Sequence, residues 1–196
     1  VEHMPNRLPQ ELDRLHIREI VVDHISIGDV FRSNEVIGQA AGVPEAAKKL
    51  NNELKSGLDA IRVKTAGRPH SKLLFVVGQI PGQLQGIVAA GPGSYFDEIM
   101  TIVGAENAFS DAKAAYSRIS LEEIIRRQPD FIIEMVAHDD PDKGALIRAW
   151  TPRKELRAVR ENHVIAVPSE LFVVPGPRVV EAATYLGRLI HPESGL

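Results

Sequence analysis

YSRISLEEIIRRQPDFIIE, residues 116–134, encodes a helix, a turn and a buried strand in nineteen residues. Ser120 is placed to accept the unpaired N–H groups of a helix start, and Glu123, three residues on, can close a capping box. Leu121, Ile124 and Ile125 fall at i, i+3 and i+4, which is one apolar helical stripe. Gln128-Pro129-Asp130 ends that helix, because a residue before proline is pushed out of the α region. Phe131-Ile132-Ile133 then reads as a short apolar run, the pattern of a strand covered on both faces.

The same alternation extends in both directions. Residues 5–14 read as a short helix with Leu8, Leu12 and Leu15 inward, and Ile17–Val22 as a β-branched strand. Ser26 caps a helix to Ala41, with Val30, Phe31, Val36 and Ile37 as core, and Gly42 stops it. Pro44 opens a long helix over residues 44–65, where Val43, Ala47, Leu50, Leu54, Leu58 and Ile61 repeat at helical spacing. Gly67-Arg68-Pro69 is a strong break. Lys72–Val77 is a second buried strand, and a Gly-rich loop runs from Gly78 to Gly93. Ser94 caps a helix carrying Ile99, Met100 and Val103. Beyond Glu134 come an acidic loop (His138-Asp139-Asp140-Pro141-Asp142), helical segments at Ala145–Trp150 and Pro152–Val159, a strand at His163–Val167, and a last helix from Arg178 to Ile190. Strands that alternate with helices imply parallel crossovers: an α/β fold, a parallel sheet in a three-layer arrangement with helices on both faces.

Composition narrows the function. A net charge of −3 gives no electrostatic footprint for nucleic acid or an anionic membrane. The absence of cysteine excludes disulfides, thiolate metal sites and thiol nucleophiles. No run approaches the ~20 apolar residues of a membrane span. The seven histidines are scattered without a His-x-x-x-His pair, and the acidic loop lacks calcium-loop spacing, so no metal site and no resident cofactor are expected. Ser94, Ser120 and Ser169 lack the Gly-x-Ser-x-Gly elbow of a hydrolase.

The Ser-x-Glu-x-Ile-Ile-x-x-x-Pro-Asp-x-Ile-Ile pattern of residues 120–133 resembles the second lobe of the helix-backbone (class III) substrate-binding proteins of ABC importers, which carry vitamin B12, ferric siderophores and haem. GPGSYFDEIMTIVGAENAF resembles the family's strand-loop-helix that ends in a Gly-Asn pair, although Ala105 stands where a second glycine is common. RAVRENHVIAVPSELFVVPGPRVVEAATYLGRLIHPE resembles its C-terminal end. The resemblance implies residues 1–42 as a remnant of an N-terminal lobe, 43–66 as the interlobe backbone helix, and 67–196 as the C-terminal α/β lobe. Because only about forty residues precede the long helix, it also implies half of a ligand cleft. A non-enzymatic binding protein is implied, periplasmic or extracytoplasmic and membrane-associated, with a small-molecule ligand (iron chelate, corrinoid or haem) and an ABC permease as partners. Membrane attachment would come only by association or a lost lipid anchor, and homodimerisation would use the truncated face.

The resemblance also nominates residues, each with a plainer structural reading beside it. Tyr116 matches an aromatic facing the ligand; alternatively it packs on the helix start. Val88 matches a second ligand-facing position, in the loop 78–93. That loop is a cleft candidate on its own terms, because ligands of open α/β sheets gather at the carboxyl ends of strands. Phe172 and Arg178 flank the Pro-Gly-Pro turn, which faces the cleft in the family. Arg178 suits a carboxylate or catecholate oxygen, or a nearby carboxylate of its own chain. Glu122 matches the acidic residue that meets a permease arginine, and a carboxylate in a first helical turn also stabilises the helix by its dipole alone. Trp150 reads as core. The competing reading is a Rossmann-like nucleotide-binding domain or enzyme that uses loop 78–93, although no Gly-x-Gly-x-x-Gly follows Val77 directly.

Overall fold

The structure, a computed structural model, describes residues 8–80, 82–136 and 144–196. The acidic stretch His138–Asp142 lies outside the described residues. Helix α1 (Leu8–Arg14) and helix α2 (Ile27–Ala40) precede the long helix α3 (Pro44–Thr65). Ser26 caps α2 in a complete capping box with Asp29. Gly42 takes φ +73°, the left-handed geometry that lets the chain leave one helix and enter the next.

Beyond α3 lie β1 (Lys72–Gly78), β2 (Val88–Ala90), α4 (Tyr95–Ile102), β3 (Glu106–Asn107), β4 (Tyr116–Arg118), α5 (Leu121–Arg127) and β5 (Phe131–Val136). They are followed by α6 (Ala145–Trp150), α7 (Arg157–Arg160), β6 (Val164–Pro168), α8 (Ser169–Phe172), α9 (Val179–Ile190) and a 3₁₀ turn at Pro192–Ser194. The sheet order is β4-β2-β1-β5-β6, with β3 paired to β1. β1 runs parallel to β3 and β5, and β5 parallel to β6.

The strands alternate strictly between two cores. Leu73 and Phe75 of β1, with Phe131 and Ile133 of β5, pack under α3, α4 and α9. Leu74, Val76 and Ile132 point the other way, to Ile124 of α5, Trp150 of α6 and Leu156. This two-sided burial is why β1 and β5 read as unbroken apolar runs. The expected three-layer α/β class is present, built on a mainly parallel sheet.

Several expectations are corrected. β2 is antiparallel to β1, and β4 is antiparallel to β2. β2 lies in the stretch that reads as the loop 78–93 and β4 just ahead of the helix expected after Ser120, because three residues are too few to show a period. Residues 17–24 form neither helix nor strand, and Ile17, Ile20 and Val21 are exposed. A β-branched run becomes a strand only where a neighbour offers hydrogen bonds. Leu15, Val36, Ile37 and Val43 are likewise exposed. The segment from Pro152 to Leu156 forms successive turns, and only Arg157–Arg160 is helical. The turns swing Leu156, which is fully buried, into the second core.

The front segment is fastened to the lobe by polar contacts. Glu98 of α4 accepts the Ile27 N–H at the start of α2, and the Tyr95 N–H donates to the Ile25 carbonyl. Buried Asn51 of α3 donates to the Phe31 carbonyl and to Glu35 and accepts from Asn34, tying α3 to α2. α3 in turn packs on α4 and α9.

Candidate ligand-binding face

Directly opposed residues of antiparallel strands point to the same side of a sheet. In the β2–β4 register, Val88 faces Arg118 and Ala90 faces Tyr116. Ala90 belongs to the core beneath α4, so Val88, Tyr116 and Arg118 share that side. Tyr116 is 41% exposed, and its ring meets Phe96 edge-on, with centroids 6.3 Å apart. Partial burial raises its phenol above the ordinary tyrosine value, so the hydroxyl remains a neutral donor.

A continuous aromatic spine runs inward from Tyr116. Phe96 lies 4.6 Å from Phe75, Phe75 lies 5.5 Å from Phe172, and Phe172 lies 6.2 Å from Tyr185, centroid to centroid. Phe172 is fully buried in it and presents no surface here. It therefore joins Tyr116 only as support from below. Arg178 begins α9, and its guanidinium holds Glu181 by two contacts, at 2.9 and 2.8 Å. The structure thus realises the helix-start pairing for Arg178.

The turn that carries this face into α4 is pinned on three sides. Ser94 accepts the Asp97 N–H and donates to the Gly91 carbonyl. Asp97 accepts the Gly93 N–H at 3.0 Å and the Asn107 amide at 2.8 Å. Asn107 also donates to the Ala90 carbonyl and accepts the Phe109 N–H. Gly91 passes so close to Ala114 that a Cβ would lie 2.3 Å from its carbonyl oxygen. No side chain fits there. Asn107 is thus the tie that explains the Asn of the Gly-Asn pattern, a role its position in the sequence does not reveal. Arg118 was also missed, because a three-residue edge strand gives no sign of which side it faces.

Glu122 stands apart. It is exposed in the first turn of α5, which covers the opposite face of the sheet. The bond from its own backbone N–H, then that from the Ser120 hydroxyl, holds its carboxyl below the usual glutamate range, with Arg153 adding a favourable charge. Trp150 is fully buried, in accord with the core reading.

A cavity of about 480 Å³ opens elsewhere, between α2, α3 and α4, lined by Ile27, Phe31, Lys55, Leu58, Arg62 and Glu98 among others. None of the five nominated residues lines it. Its cations are already engaged: Arg62 pairs with Asp59 at 2.6 Å, and Lys55 sits over the Phe31 ring. Among the described residues, no group of three or more His, Asp or Glu could hold a metal ion. No helix among them is long and apolar enough to cross a membrane.

The profile of the family described as Periplasmic binding protein matches residues 21–171, well over half of the chain. The chain belongs to the periplasmic binding protein family. Among relatives, it is 28% identical over 177 residues to an uncharacterized ABC transporter substrate-binding lipoprotein of Bacillus subtilis, covering 89% of this chain and 54% of that one. It is 24% identical over 176 residues to a vitamin B12-binding protein of Vibrio parahaemolyticus, covering 88% and 61%. The fold superposes on a periplasmic haem-binding protein of Roseiflexus with a TM-score of 0.78 at 20% identity, covering 97% of this chain and 73% of that one. The chain therefore spans little more than half the length of these curated relatives. Within a periplasmic binding protein, the aromatic-backed face of Tyr116, Val88 and Arg118 is the candidate ligand surface.

Proposed function

We propose that this chain is the ligand-capturing part of a substrate-binding protein of an ABC importer, taking a metal chelate: a ferric siderophore, a corrinoid or haem. The reading rests on one observation: in a periplasmic binding protein, a half-exposed tyrosine stands at the end of a buried aromatic spine, beside a small Val88 and a cationic Arg118. A rigid ring over a stiff base suits a flat, greasy ligand, because it offers contact area with few torsions to freeze. Arg118 adds a cation for ligands bearing carboxylate or catecholate oxygens. Arg178 joins it only if Glu181 gives it up. Residues 43–66 act as the stiff interlobe helix, between the N-terminal segment 1–42 and the lobe 67–196. Glu122, charged and exposed on α5, docks on a cationic permease surface. The setting is periplasmic or extracytoplasmic, and the chain captures and presents its ligand without chemistry.

The nucleotide alternative is disfavoured at α4. Its first turn carries Asp97 and Glu98, and Ser94 already occupies the Asp97 N–H. A phosphate there would meet negative charge where P-loop helices offer free N–H groups.

Titration of the purified chain with haemin, cyanocobalamin, ferrichrome and ATP, read by thermal shift, tests the reading. Stabilisation by at least one of the first three, weakened about tenfold or more by Tyr116→Ala, is expected from the loss of a stacking platform. Stabilisation by ATP alone would overturn it.

A further inference from the structure

We propose that Glu134 and Gln79 form a carboxylic acid–carboxamide latch that pins the start of the loop 78–93 to the sheet, and that loss of the carboxyl proton to solvent releases it. Glu134 lies in β5, between Val76 of β1 and Ala166 of β6, and is 1% exposed. Its Oε1 accepts the Trp150 Nε1–H at 2.7 Å and the Gln79 Nε2–H at 3.0 Å. Gln79 is the first residue beyond β1, so this bond holds the root of the loop that carries Val88.

The other end of the Gln79 amide supplies the second half. Its Oε1 is buried and has no hydrogen-bond partner among the described residues. A planar carboxamide that donates to one oxygen of a carboxyl group can accept from the other when that oxygen carries a proton. A protonated Glu134 therefore satisfies an atom that is otherwise orphaned, at a cost a buried acceptor does not bear for nothing. An ionised Glu134 would set acceptor against acceptor.

The surroundings favour the neutral form. Burial pushes the carboxyl up to about 8, against a smaller downward effect of the Trp150 bond. β6 carries no charged residue, and the one charged residue of β1, Lys72, sits at its opposite end. Arg148, the one charged residue of α6, and Glu170, the one charged residue of α8, which also packs on β5, are both exposed. Asp130, just before β5, is paired with Arg157. Residues 137–143 lie outside the described residues.

The loop's part in ligand capture rests on the proposed function; the latch is tested without any ligand, so either idea can fail alone. Trp150 is the single tryptophan of the chain and bonds directly to Glu134, so its fluorescence reports the proton. The native chain should show a fluorescence transition near pH 8. Above it, amide exchange in residues 78–93 should accelerate after correction for intrinsic rates. Glu134→Gln makes the two-point pair permanent, so both changes should vanish and the loop should stay protected throughout. Gln79→Ala should move the midpoint down by about one unit or more, by removing the partner of the neutral form and admitting water. Three results would each overturn the latch: a native chain with no transition, a transition that survives in Glu134→Gln, or a midpoint unmoved by Gln79→Ala. The native titration and the Gln79 variant decide the matter even if the Glu134 variant does not fold.

Discussion

Glu134 buries a carboxyl group in the middle of the sheet, and this gives the protein a pH response opposite to that of most acids. Its usual value is 4.5, and in the folded chain it rises to about 8. Between those values the folded state holds a proton that the unfolded chain has lost. Its contribution is therefore full below about pH 4.5 and fades as pH rises towards about 8, for a total on the order of a few kcal/mol. Urea midpoints measured from about pH 5 to about pH 9 should fall in the native chain, and Glu134→Gln should flatten that slope. At this scale the sequence was informative where chemistry is local. The caps at Ser26, Ser94 and Ser120 all formed, because a hydroxyl needs only a backbone N–H two or three residues away. Tyr116 and Val88 are nominated by the family resemblance, and the register of β2 with β4 puts them on one side. Phe172 and Arg178 were nominated as well, but depth and pairing are decided by distant residues, Phe75 for one and Glu181 for the other.

Helices α2 and α3 cross closely at Gly38. A Cβ at Gly38 would lie 2.4 Å from the Ala47 Cβ, so the two helices touch through a glycine. Gly38→Ala should gain about 0.5–1 kcal/mol in helix propensity and lose about 1–3 kcal/mol to overpacking. The net expectation is destabilisation, with looser α2. Gly28→Ala, whose Cβ would meet nothing nearer than 3.4 Å, is the matched control and should be neutral or slightly stabilising. Equal melting temperatures for the two variants would contradict the close crossing. The long helix is legible end to end, from Pro44 to Thr65, because its apolar stripe repeats over about five turns and a proline and a glycine bracket it. The strand expected at Ile17–Val22 was not realised, since pairing is a property of two segments and the sequence shows only one.

Six exposed apolar side chains lie near the front of the molecule: Ile17, Ile20, Val21 and Ile25 between α1 and α2, with Val36 and Ile37 on α2. Contiguous exposed apolar side chains promote self-association. Sedimentation of this chain should show concentration-dependent dimers, and Val21→Lys should shift it to monomer; a strictly monomeric native chain at about 100 μM would count against a sticky front. Taken alone, the sequence determined the alternation of helices and strands, the class of the sheet and the family. Those follow from periodicity, caps and short motifs, all of which act within a few residues. Tertiary structure alone decided that β2 and β4 run antiparallel, that Phe172 is buried against Phe75, and that Glu134, Gln79 and Trp150 converge. Such facts depend on contacts between residues up to 97 positions apart in the pairs just named, as from Phe75 to Phe172, and no local pattern encodes which distant segment will fill a given space.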